Sequence, residues 1–179
     1  MRIIGGKYRG KKLPISTKLD LRPTTDFAKE GLFNVLNNLV DIEDARFLDL
    51  FAGTGNISYE LISRGASGGM AVDISQGSHK YRERFKLEMS FDGLTNIRSE
   101  VLRFVRNHSS KFDLIFADPP YDFEKYDELV ESVFQNQLLK ADGVFVLEHP
   151  EEHTFEIVPQ HIDSRKYGRV HFSFFKQQQ

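Results

Sequence analysis

Four short runs in this chain are apolar at consecutive rather than alternate positions: RFLDLFA (46–52), GGMAVD (68–73), FDLIFAD (112–118) and GVFVLEH (143–149). A strand that is apolar on both sides must be covered on both faces, so runs of this kind call for a buried parallel sheet. The segments between them have the spacing of helices. ISYELISRG closes on Gly65, and SHKYRERFKLEM places Tyr81, Phe85 and Met89 four apart. A short strand, TNIRS, then leads into the helix EVLRFVRN. From about residue 124, Tyr126, Leu129, Val130, Val133, Phe134 and Leu138 share one helical face. Ahead of the first run, TTDFAKEGLFNVLNNL carries Leu32, Leu36, Leu39 and Val40 on one stripe, although Gly31 inside it costs helix stability. After residue 151, TFEIV and RVHFSFF read as two closing antiparallel strands. The expected fold is therefore α/β, a doubly wound and mostly parallel seven-stranded sheet.

With 179 residues, 40% of them apolar and 28% charged, the chain suits one soluble domain with a substantial core. No apolar stretch approaches the roughly 18 residues of a membrane span. There is no cysteine, and the first 16 residues carry charge and glycine where a signal peptide would be apolar. A cytoplasmic address without membrane contact is expected. The net charge is −2, but residues 1–25 hold seven of the 24 basic residues and one of the 26 acidic ones. Ile3, Ile4, Tyr8, Leu13 and Ile15 are interleaved with these charges and with GG and RG turns. An ordered basic β-hairpin is expected over 1–23, as an extension of a domain spanning 24–179.

Ligands of an open parallel sheet bind beyond the carboxyl ends of its strands. Strand ends here deliver Asp49 with Phe51-Ala52-Gly53-Thr54-Gly55, then Asp73, then Glu100, then Asp118-Pro119-Pro120-Tyr121. The Gly-x-Gly loop is shared by many nucleotide binders. A dinucleotide fingerprint needs a third glycine where this chain has Ser58, and a phosphate-binding loop needs a Gly-Lys-Ser/Thr that is absent. Asp49 would repel a pyrophosphate but suits an ammonium group, and Asp73 is spaced to hold ribose hydroxyls. An adenosine with an amino-acid tail, S-adenosylmethionine, fits these features, and its sulfonium also favours an acidic rim.

The DPPY run fits a partner for that cofactor. An exocyclic amine on an aromatic base is a poor nucleophile, because its lone pair is delocalised into the ring. Asp118 can accept a hydrogen bond from the NH2 group, and the Pro119 carbonyl can be aimed as a second acceptor. Tyr121 offers a ring face to a base taken out of its helix. The six histidines show no metal-ligand spacing, so no metal is expected; His149, near the end of the last parallel strand, is the one closest to this chemistry.

DLFAGTG and DPPY resemble the first and fourth motifs of class I methyltransferases acting on exocyclic amines. RIIGGKYRGKKL, LRPTTDFAKEGLFNVL and the late Tyr167-Gly168 resemble the RsmD family of 16S ribosomal RNA guanine-N2 methyltransferases over nearly the whole chain. The resemblance implies cofactor contacts from Asp49, Phe51, Ala52, Gly53, Thr54, Gly55, Asp73, Ile74, Glu100 and Val101. It implies base handling by Asp118 to Tyr121 and an RNA border at Arg22, Pro23, Thr24 and Thr25, while the basic block itself offers Arg2, Lys7, Arg9, Lys11 and Lys12 to RNA phosphates. The implied partner of a monomeric enzyme is 16S rRNA within a small-subunit assembly intermediate. Two positions depart from the family: Glu100, where Asp or Asn is more usual, and Phe27, where a basic residue is usual. A DNA adenine-N6 or cytosine-N4 methyltransferase and a non-catalytic RNA-binding module remain the competing readings.

Overall fold

The computed structural model describes residues 1–13 and 25–178. Helix α1 (Asp26–Leu39) precedes an alternation of strands and helices: β1 (Arg46–Leu50), α2 (Asn56–Ser63), β2 (Gly68–Asp73), α3 (Gln76–Met89), β3 (Leu94–Arg98), α4 (Val101–Asn107), β4 (Phe112–Ala117), α5 (Tyr126–Gln135) and β5 (Leu139–His149). A hairpin of β6 (His161–Tyr167) and β7 (Val170–Lys176) completes a seven-stranded sheet of order β3-β2-β1-β4-β5-β7-β6. The first five strands are mutually parallel, and β7 pairs antiparallel with β5 and β6. This is the doubly wound sheet that the consecutive apolar runs require.

One apolar core, containing Leu32, Leu36, Ile57 and Phe85, lies under α1 to α3 on one face. The other, containing Val101, Val105, Leu129 and Val133, lies under α4 and α5. The order reverses between β1 and β4, and that switch point opens a crevice at the carboxyl end of the sheet.

Three local expectations change. TFEIV forms turns, not a strand: Phe155 is buried beside His149 and Phe175, while Ile157 is 94% exposed. Its inward residues, Phe155 and Val158, are three apart and joined by a backbone hydrogen bond, which is turn spacing. The sixth strand is instead the polar HIDSRKY, an edge whose exposed charges hide any apolar alternation. The fifth strand starts at Leu139, earlier than its apolar run, because a register shift against β4 absorbs the polar KADG stretch.

Residues 1–13 double back on themselves through an antiparallel bridge between Arg2 and Lys12, and Ile3 and Leu13 enter the α1–α3 core. The segment is tied to α2: Ile4 N–H donates to Glu60, and Lys7 and Tyr8 N–H donate to the carbonyl and hydroxyl of Ser63. Behind it Lys29 and Glu60 form an ion pair, 3.1 Å apart, with virtually no solvent contact. The rest of the expected hairpin, with Ile15, lies outside the described residues.

Candidate active site

The switch-point crevice is a cavity of about 930 Å³. Every cofactor candidate except Gly55 lines it, as do Asp118, Pro119, Pro120, Tyr121 and Thr25. Gly55 lies beneath the lining at φ 84°, and a Cβ there would come within 3.0 Å of the Tyr59 ring, so only glycine lets this turn close.

The glycine loop is held by side chains on both sides. Asp73 accepts from Gly53 N–H at 2.9 Å and from Ser75 N–H at 2.7 Å. From below, the fully buried Arg82 donates to the Gly53 carbonyl at 2.6 Å and to Asn96 at 3.1 Å. In the sequence Arg82 passes for part of the polar face of α3, and nothing local distinguishes it. Asp49 is buried and its Oδ2 accepts from both the backbone and the hydroxyl of Ser58, at 3.0 and 2.5 Å. Ser58 is therefore a partner to Asp49 as well as the absence of a third glycine. Burial raises the Asp49 pKa to about 6 against the opposing pull of Ser58 and Arg82. Glu100 caps α4, accepting from Leu102 and Arg103 N–H, while remaining on the cavity wall.

The chain after β4 turns sharply, with Phe123 N–H bonding back to the Pro120 carbonyl at 2.9 Å. Pro119 is buried, and Tyr121 is 74% exposed at the mouth. Burial raises the Asp118 pKa, and the charge of Asp49 adds to the effect. Glu148, at the end of β5, is a fifth rim acid that the count of strand ends left out. Its Oε2 has no hydrogen-bond partner among the described residues, and burial followed by the Asp118 charge drives its pKa strongly upward. His149 also lines the cavity, but both ring nitrogens are engaged, with the Pro150 carbonyl at 2.9 Å and Ser173 at 2.8 Å. Asn56, the first residue of α2, reaches the lining too, and no motif marks it.

Among the described residues, the basic candidates Arg2, Lys7, Arg9, Lys11 and Lys12 sit apart from this lining. Arg9, Lys11 and Lys12 are exposed, Arg2 pairs with Asp26 at 2.7 Å, and the Lys7 ammonium lies 5.3 Å from the Tyr8 ring centre. Arg22 and Thr24 are outside the described residues. Thr25 caps α1 through Ala28 N–H. Met1 joins the segment to the cavity, its sulfur accepting from Thr54 at 3.6 Å. Across the mouth, Phe27 is exposed and meets the Tyr167 ring edge-on at 5.9 Å.

The family model described as "Conserved hypothetical protein 95" matches residues 1–176. The protein named "Ribosomal RNA small subunit methyltransferase D" from Escherichia coli (strain K12) is 30% identical, covering 89% of this chain and 79% of its own. Its namesake from Haemophilus influenzae is 32% identical, covering 83% and 78%. A solved structure, "Putative methyltransferase yhhF from Escherichia coli", superposes with a TM-score of 0.87 at 26% identity over 99% of both chains.

Proposed function

The chain belongs to the RsmD family, and from that premise we propose that it methylates small-subunit ribosomal RNA, moving a methyl group from S-adenosylmethionine to the N2 amine of a guanine in 16S rRNA. The observation that carries this reading is the meeting, in one cavity, of the glycine loop after β1, Asp73 after β2 and the Asp-Pro-Pro-Tyr turn after β4.

The cavity suits the cofactor chemically. Its wall is acidic at Asp49, Asp73, Glu100 and Asp118, which favours a ligand with an ammonium, a sulfonium and ribose hydroxyls. Asp73 uses each carboxylate oxygen once on backbone N–H groups and keeps lone pairs for ribose. The cofactor supplies an electrophilic methyl on a positively charged sulfur.

The chain's own groups prepare the acceptor. Asp118 accepts one hydrogen of the amine and the Pro119 carbonyl the other, making the nitrogen more tetrahedral and freeing its lone pair along the line of transfer. A methylated amine must shed one proton, and Asp118, whose pKa burial raises, would be placed to receive it. Tyr121, exposed at the mouth, offers a stacking face to a base withdrawn from its helix. The exposed side chains of the first turn, Arg9, Lys11 and Lys12, meet RNA phosphates in this reading.

The test is mass spectrometry of nucleosides from small-subunit RNA of cells with and without this protein. Loss of one N2-methylguanosine is the expected result. Unchanged RNA together with altered N6-methyladenine in DNA would replace the reading with the DNA one.

A further inference from the structure

Phe27, the second residue of α1, lines the cavity, yet 67% of it is exposed. A lone exposed phenylalanine is ordinary. This one is braced. Its ring meets Tyr167 with centroids 5.9 Å apart and planes at 79°, and Tyr167 is fixed in turn, its ring lying against Gly31 and its hydroxyl donating to the Gly31 carbonyl at 3.2 Å. An edge-to-face pair leaves ring surface uncovered, so Phe27 presents a supported aromatic face at the mouth of the cavity. Two residues beyond Tyr167, on the turn between β6 and β7, Arg169 is exposed on the same lining. It pairs with no carboxylate among the described residues.

We propose that Phe27 and Arg169 receive the nucleotide next to the target guanine, its base stacked on the Phe27 ring and its phosphate on the Arg169 guanidinium, a contact that rests on the RNA reading above. A base drawn into the cavity leaves its neighbour without a stacking partner on that side, and a ring at the mouth replaces the lost one. Ring and guanidinium together suit a single strand, because every base has a π face and a guanidinium matches a phosphate. The basic segment also begins beside this shelf: Asp26, which precedes Phe27 in the chain, holds Arg2 at 2.7 Å. RNA lying on that segment is therefore led past Phe27 on its way into the cavity. The competing role for the ring is packing against the cofactor, since the glycine loop lines the same cavity.

The chain has no tryptophan, so Phe27→Trp keeps an aromatic face and turns it into a fluorescent reporter. The full chain is titrated with S-adenosylhomocysteine and, separately, with a single-stranded RNA nonamer of adenosines around a central guanosine, at low salt, where phosphate contacts give binding without sequence preference. In Phe27→Trp the RNA is expected to quench the indole emission and S-adenosylhomocysteine to leave it unchanged. Phe27→Ala is expected to raise the Kd of the RNA roughly 5- to 100-fold and that of S-adenosylhomocysteine by less than about twofold, while Phe27→Tyr restores RNA binding. Arg169→Ala is expected to flatten the salt dependence of RNA affinity by roughly one unit. Emission that responds to S-adenosylhomocysteine alone would place the ring on the cofactor and overturn the contact. So would RNA that binds Phe27→Trp without quenching it, or binds Phe27→Ala as tightly as wild type. An unchanged salt slope in Arg169→Ala would overturn the phosphate contact. Wild-type protein that binds S-adenosylhomocysteine but no RNA would remove the RNA reading and this contact with it.

Discussion

Asp118, the residue after β4, and Glu148 of β5 each follow the last register pair of those two parallel strands, Ala117 with Leu147, and both line the cavity wall. Two half-buried acids on one cavity wall do not both ionise readily. Burial raises the pKa of both, and the Asp118 charge adds to the rise at Glu148, so Glu148 is the one that holds its proton to higher pH. In the unfolded chain Glu148 ionises near 4.5, so a rise in pH from there to about 9 favours unfolding, where the carboxylate is free to form. Glu148→Gln removes that penalty. The variant is expected to match wild type near pH 4 and to become progressively more stable than it up to about pH 9, as measured by denaturant unfolding across the series. A stability difference that does not change with pH would mean that Glu148 is ionised in the native state.

Asp118 makes its proposed contact with the reacting amine, so its removal should affect transfer far more than cofactor binding. Asp118→Ala is expected to lower the methylation rate by roughly 100-fold or more while the affinity for S-adenosylhomocysteine stays within about threefold. Wild-type turnover in this variant would remove Asp118 from the reaction.

Asp73 holds the Gly53 and Ser75 N–H groups as well as facing the cavity. Asp73→Ala is expected to weaken cofactor binding by about 1–3 kcal/mol, the range for hydrogen bonds to a charged group. Calorimetry showing unchanged affinity would reduce Asp73 to a brace of the loop.

Gly31 lies against Tyr167, whose hydroxyl donates to the Gly31 carbonyl at 3.2 Å. A Cβ at residue 31 would fall 2.2 Å from the Tyr167 ring. Gly31→Ala gains about 1 kcal/mol of helix propensity, but overpacking of this kind costs about 1–3 kcal/mol. The variant is expected to melt below wild type, with Tyr167 displaced from the cavity mouth. A rise in melting temperature would show that the ring moves aside without cost.

The exposed Arg9, Lys11 and Lys12 are expected to act on phosphates without base preference. Replacing all three with Ala should raise the apparent Michaelis constant for RNA and flatten the dependence of log affinity on log salt by roughly one unit per lost phosphate contact. Cofactor affinity, measured in parallel, should hold. Equal salt slopes for variant and wild type would leave these charges as solvated surface and move RNA binding elsewhere.

The sequence by itself determined what depends on short-range pattern. Consecutive apolar runs alternating with helical stripes imply a parallel sheet covered on both faces, and the residues ending those runs are bound to meet at one rim. That is why the glycine loop, Asp73 and the DPPY turn, which line one cavity, are legible together in the sequence. The polar edge strand β6 and the buried turn around Phe155 escaped because their periodicity is masked by exposed charge or by turn spacing. Only the tertiary structure decided which polar groups face each other. Asn56 and Lys29 are 27 positions apart, Tyr167 and Gly31 are 136 apart, and Arg82 reaches the glycine loop from the next helix but one position in the polar pattern of α3. A hydrogen bond or a close ring contact depends on a separation set to within a few tenths of an ångström, and a chain's local periodicity carries no information about which distant partner will stand there.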